Sequence, residues 1–115
     1  AGLLIPAPQP TPIQQRRLLL RDELFQNDVL ILDRVRSRSV SYGGKTGPRL
    51  RISLEGAPYL GLWMKPGAQF ICIEPWHGIT DPVGFAGDFR DKPGVFSVAA
   101  GRELALPMTI TLEGG

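Results

Sequence analysis

The stretch "RLRISLEGAPYLGLWMKPGAQFICIEPW", residues 49–76, decides the fold. It holds three short apolar runs, "RLRISLE" (49–55), "YLGLWMK" (59–65) and "QFICIEPW" (69–76), each bounded by turn residues and each reading as a strand. The second and third are joined through "KPG" at 65–67; proline followed by glycine at the two central positions is what a type II turn requires. Runs this short with connections this tight pair antiparallel, because a parallel crossover needs a dozen or more residues.

Working outward, "VLILDR" (29–34) and "SRSVSY" (37–42) read as earlier strands, and "GGKTGP" (43–48) as the hairpin connection into 49–55. Beyond a second "KPG" at 92–94, "GVFSVAA" (94–100) and "LALPMTITLE" (104–113) read as two more. Only "RDELFQND" (21–28) suits a short helical turn. The expected class is all-β, an antiparallel β-sandwich. In 69–76, Phe70, Cys72 and Glu74 share one side while Ile71 and Ile73 take the other, so this strand is expected at the centre of a sheet. Residues 1–15, with prolines at 6, 8, 10 and 12, are expected as an extended linker or covering segment, leaving 16–115 as the β domain. A start at Ala1 suits a processed or truncated product.

Composition narrows the function. At 115 residues, 43% hydrophobic and 21% charged, the chain has the make-up of one globular domain or part of one. No apolar run reaches the roughly 18 residues of a spanning helix, and the proline-broken start has no basic region preceding it, so neither a membrane nor a signal peptide is expected. The single Cys72 reads as a small buried hydrophobe in a reducing, cytoplasmic setting. Residues 16–51 hold nine Arg/Lys against four Asp/Glu, and 52–115 four against seven. Arg34, Arg36 and Arg38 nonetheless alternate as on a solvent-facing strand, without interleaved aromatic platforms, and no nucleic-acid partner is expected.

The chemistry gathers where the apolar strand ends, at Glu74-Pro75-Trp76-His77-Gly78. A half-buried carboxylate is costly unless something pairs with it or uses its charge. Three readings stay open from the residues alone: an ion-pair partner of an arginine across the sheet, a metal or sugar ligand, and a catalytic base. Pro75 forces Glu74 into extended backbone and so aims its side chain from a stiff scaffold, as a base needs. Trp76 at the strand end could stack against the C–H face of a sugar, whereas Trp63 reads as core or pocket wall. The Gly-, Asp- and Pro-dense stretch 77–94 is long enough to be a functional loop. His77 is not read as the partner of Glu74, because two residues in extended or turn geometry separate them. One Cys and one His near Glu74 fall short of a zinc site, so no metal is expected. Nucleotide-binding glycine loops and a nucleophile elbow are absent from the sequence.

The ordered set "ELFQNDVLIL…SRSV", "PYLGLWMKPGAQFICIEPWHGITD" and "KPGVFSVAAGRELALPMTITL" resembles the C-terminal part of aldose 1-epimerase (galactose mutarotase-like) proteins over nearly all of the chain after the proline-rich segment. The resemblance implies a large β-sandwich, part of a galactose mutarotase-like supersandwich, that interconverts the α and β anomers of a free aldose without a cofactor. It implies Glu74 as the general base at the C1 hydroxyl, and Asp28 as a hydrogen-bonding partner of a sugar hydroxyl. The general-acid histidine is implied in N-terminal sequence that this chain does not contain, so the fragment alone is expected to be inactive. A complementing N-terminal segment or a homodimer is the expected protein partner. The alternative from another class is a non-catalytic carbohydrate-binding β-sandwich, with Trp76 and Asp28 holding the sugar and Glu74 only a ligand.

Overall fold

The computed structural model describes residues 3–4 and 8–114; Pro6, within the proline-rich segment, lies outside them. Among the described residues the strands are β1 (Leu30–Leu32), β2 (Ser39–Gly43), β3 (Arg49–Ser53), β4 (Tyr59–Trp63), β5 (Cys72–Trp76) and β6 (Ile110–Glu113), with short 3-10 helices at Asp22–Phe25 and Phe89–Asp91. They form two antiparallel sheets, ordered β1-β4-β5 and β2-β3-β6. The chain is all-β, as the short runs and tight connections predict.

Turn chemistry sets the connections. At 65–68 the Ala68 amide donates to the Lys65 carbonyl at 2.9 Å, and Gly67 sits at φ 81°, the left-handed conformation that a type II turn demands at this position. Asp22 accepts a hydrogen bond from the Gly67 amide at 3.1 Å, tying the first 3-10 helix to the turn after β4. The second "KPG" closes in the same way, with Val95 donating to Lys92 at 3.2 Å and Gly94 at φ 85°.

Register then assigns the faces. Leu30 faces Leu62, which faces Ile73, and Leu32 faces Leu60, which faces Pro75. Partners in an antiparallel ladder project to the same side, so these rows form one apolar face. Leu60 and Leu62 join Phe25 and Leu54 in the buried core, with Leu30, Leu32, Val35, Val40 and Ile73 packed around them. Val40 belongs to β2, so both sheets contribute to the core. The alternate row, Ile31–Gly61–Glu74, lies on the opposite face.

Three expectations are corrected. Strand β5 is at the edge of its sheet and β4 is at the centre: the fully buried positions are Leu60, Gly61 and Leu62, whereas every residue of β5 is half-buried. Pro75 is at home on an edge, where its missing N–H leaves no ladder donor unmet. Residues 94–100 form no strand; among the described residues no strand pairs with them, and Phe96 and Val98 stay exposed. In 104–113 only Ile110–Glu113 is strand, paired with β3, with Thr109 just before it accepting from the Ser53 amide at 2.8 Å.

Candidate functional site

Glu74 stands near the middle of the β4–β5 ladder, opposite Gly61. Its neighbour two residues on, Trp76, projects to the same side and donates from Nε1 to Glu74 Oε2 at 2.9 Å. Among the described residues Glu74 makes no ion pair; the expected alternative of an arginine across the sheet has no counterpart there. A neutral indole donor fixes the direction of a carboxylate without cancelling its charge.

The indole lies over Gly61. A Cβ built on that glycine would meet Trp76 Cζ2 at 2.8 Å and Cε2 at 2.9 Å, closer than such atoms approach one another. Strand interiors disfavour glycine unless another group comes close, and here that group is the ring holding Glu74. Sequence reading missed Gly61, although an isolated glycine inside "YLGLW" was the signal that could have found it.

Beside this pair opens a cavity of about 700 Å³, lined by Pro75–Thr80, by Phe89 and Lys92, by Gly94–Phe96 and by Leu106–Met108. Trp76 and His77 line it; Glu74 does not, being one residue from its rim. The 77–94 stretch forms one wall, and contacts within it hold its shape. Lys92 Nζ pairs with Asp81 Oδ1 at 3.0 Å, with only 14% of the lysine side chain exposed, and its ammonium lies 5.8 Å from the Phe89 ring centroid. The Asp81 carbonyl accepts from the Leu4 amide, and the Leu4 carbonyl in turn accepts from the Val83 amide, each at 2.8 Å, so Leu4 is held against this loop. At its far side Asp88 caps the 3-10 helix, accepting from the Arg90 amide at 2.9 Å and from its guanidinium at 3.2 Å. The Arg90 side chain, then its backbone N–H, holds the Asp88 carboxyl below its ordinary range.

Other sequence-derived candidates are placed differently. Asp28 is exposed, at φ 82°, and its carboxylate accepts from the Val29 amide at 2.8 Å. It precedes β1 at the Cys72 end of the sheet, whereas Trp76 and the cavity are at the other end. Trp63 packs against the core cluster and meets the Phe70 ring at a centroid distance of 5.8 Å. Cys72 is a free thiol, half-buried. Among the described residues no three His, Cys, Asp or Glu gather as metal ligands, and no helix is long and apolar enough to cross a membrane.

No family model matches the chain. Two curated relatives do, the plasmid and chromosomal LacX proteins of Lactococcus lactis subsp. lactis, each 37% identical over 86 residues, covering 73% of this chain and 29% of the relative. Among solved structures, the galactose mutarotase related enzyme of Lactobacillus acidophilus superposes with a TM-score of 0.75 at 29% identity, over 84% of this chain and 34% of that one. The chain therefore spans about a third of the length of the proteins it matches. Its fold is that of the galactose mutarotase-like proteins, and over the matched part its sequence is similar to theirs.

Proposed function

We propose that this chain carries the base-bearing part of an aldose 1-epimerase-like isomerase, with Glu74 taking the proton from the anomeric C1 hydroxyl of a free aldose. The observation that carries the reading is the state of that carboxylate. Glu74 is half-buried, held through one oxygen by the Trp76 indole and free of any ion pair among the described residues. A carboxylate so held keeps its direction and is not tied up by a cation, as proton abstraction needs. A second group, expected to be a histidine on the N-terminal part of such an enzyme, protonates the ring oxygen. The ring opens, the aldehyde turns about its bond to C2, and closure with the protons returned gives the other anomer. No cofactor enters the cycle.

Trp76, at the cavity rim, is the expected stacking surface for the sugar. Unpaired strand edges and an exposed apolar face invite association, and the expected partner is an N-terminal segment of the same kind of protein. Homodimerisation is the other outcome that sedimentation would distinguish.

Polarimetry on freshly dissolved α-galactose or α-glucose tests the reading. The isolated chain is expected to leave the spontaneous rate unchanged. Joined to the part of the Lactobacillus acidophilus galactose mutarotase related enzyme that it does not match, it is expected to accelerate mutarotation. Glu74→Gln then lowers turnover by about two orders of magnitude or more while sugar affinity persists. Unchanged turnover in that variant sinks the base assignment, and sugar binding without turnover in the joined protein favours the carbohydrate-binding module. Full activity of the isolated chain, lost in His77→Ala, would move the acid to His77.

A further inference from the structure

We propose that Gly61 and Trp76 form a positioning device for Glu74: the bare Cα of Gly61 gives the indole room to lie across β4, and the indole N–H holds one carboxylate oxygen. The proposal rests on the reading of Glu74 as the base. Its geometry stands independently. Glu74 and Gly61 are ladder partners, and Tyr59 and Trp76 are the next pair but one, so Trp76 reaches Glu74 only by leaning back along its own strand and over the neighbouring one. The edge of the ring that lies over Gly61 includes the donor. A Cβ at position 61 would stand 2.8 Å from Cζ2, 2.9 Å from Cε2 and 3.2 Å from Nε1. Any side chain there displaces the edge of the indole that makes the 2.9 Å hydrogen bond.

The neighbouring elements leave the ring little alternative. Pro75 sits between Glu74 and Trp76 and stiffens the backbone that carries both. Gly61 is fully buried in the central strand, so β4 cannot bow outward to admit a larger residue without disturbing Leu60 and Leu62 in the core. The consequence is a carboxylate with Oε2 engaged and Oε1 carrying no hydrogen bond among the described residues. Trp76 is thereby given two tasks, a surface beside the cavity and a clamp on the base, and Gly61 is a positioning residue that touches no substrate.

The test uses the intact chain labelled with nitrogen-15. Its two tryptophans yield two indole N–H signals, and Trp76→Phe assigns them. The Trp76 signal is expected to move as Glu74 ionises and to stop moving in Glu74→Gln, while the Trp63 signal stays still. Gly61→Ala is expected to keep a dispersed amide spectrum yet lose this coupling. An indole signal indifferent to Glu74 in the native chain overturns the device, even should Gly61→Ala fail to fold; so does a coupling that survives in a folded Gly61→Ala chain. In the joined protein assayed by polarimetry, Gly61→Ala and Trp76→Phe are expected to lower kcat about tenfold or more, with Gly61→Ala leaving KM nearly unchanged. If Glu74→Gln abolishes turnover but Gly61→Ala does not alter it, the device fails and the base reading stands. If Glu74→Gln leaves turnover intact, the base reading fails, whatever the indole signal reports.

Discussion

The two sheets are built from the same period-two alternation and meet different fates. In β1-β4-β5 the apolar rows are covered, and Leu60 and Leu62 are buried. In β2-β3-β6 the rows are equally regular: Val40 faces Ile52, which faces Ile110, and Tyr42 faces Leu50, which faces Leu112. Yet Ile52 is 3% exposed while Leu112, on the same face, is 70% exposed. The outer part of this face, together with Leu104, Leu106 and Met108, is exposed. The molecule as a whole presents 9092 Å² of surface, where a compact monomer of this mass presents about 6200 Å². Its radius of gyration is 16.0 Å, against about 13 Å for that chain length. An apolar face is buried only by another layer, and here the layer reaches one side of the second sheet and stops.

The largest test of that contrast is Leu60→Ala. Removing a buried leucine from the covered face should cost about 2–5 kcal/mol in a urea titration; a loss under 1 kcal/mol would mean that the core is looser than its packing. Next comes the ion pair that clips the open sheet on its polar face, Arg51 Nη2 to Glu113 Oε2 at 3.0 Å. Being largely exposed, it should show a coupling of only about 0.2–1 kcal/mol in a double-mutant cycle. Leu112→Ala should then change stability by no more than about 0.5 kcal/mol. A cost as large as that of Leu60→Ala would break the comparison outright, because it would show that the open face is covered in solution. The smallest effect lies outside both sheets. Because Asp88 is held below its ordinary range by Arg90, its contribution is fully present above the unfolded-state value and is lost as pH falls through the lowered one. Asp88→Asn should flatten that acid limb slightly and leave neutral-pH melting nearly unaltered, as scanning calorimetry would read.

The site divides along the same line between what neighbours in sequence decide and what neighbours in space decide. That Glu74 and Trp76 share a side follows from their spacing of two, and that Glu74 is rigidly aimed follows from Pro75. The hydrogen bond between them does not follow, because it depends on Gly61 lying opposite and bare, which only the β4–β5 register brings about. Likewise the 94–100 run has the pattern of a strand, but a ladder also needs a partner edge, and no local pattern reports whether one is in reach. The central position expected for β5 fails for the same reason. Apolar residues on both faces show that a strand is covered, and do not show on which of its edges a neighbour lies.

What the sequence by itself determined is local: an all-β chain, turns of the required type at both "KPG" sites, five of the strands near their observed places, and the resemblance carried by "PYLGLW" and "CIEPW". These depend on dihedral preferences and on a repeat of two, which operate over a few residues. The tertiary structure alone decided which strand is central, which apolar rows are buried, and how the carboxylate of Glu74 is held. Those outcomes depend on contacts between residues far apart in the chain, and their sum is known only when every layer has been placed.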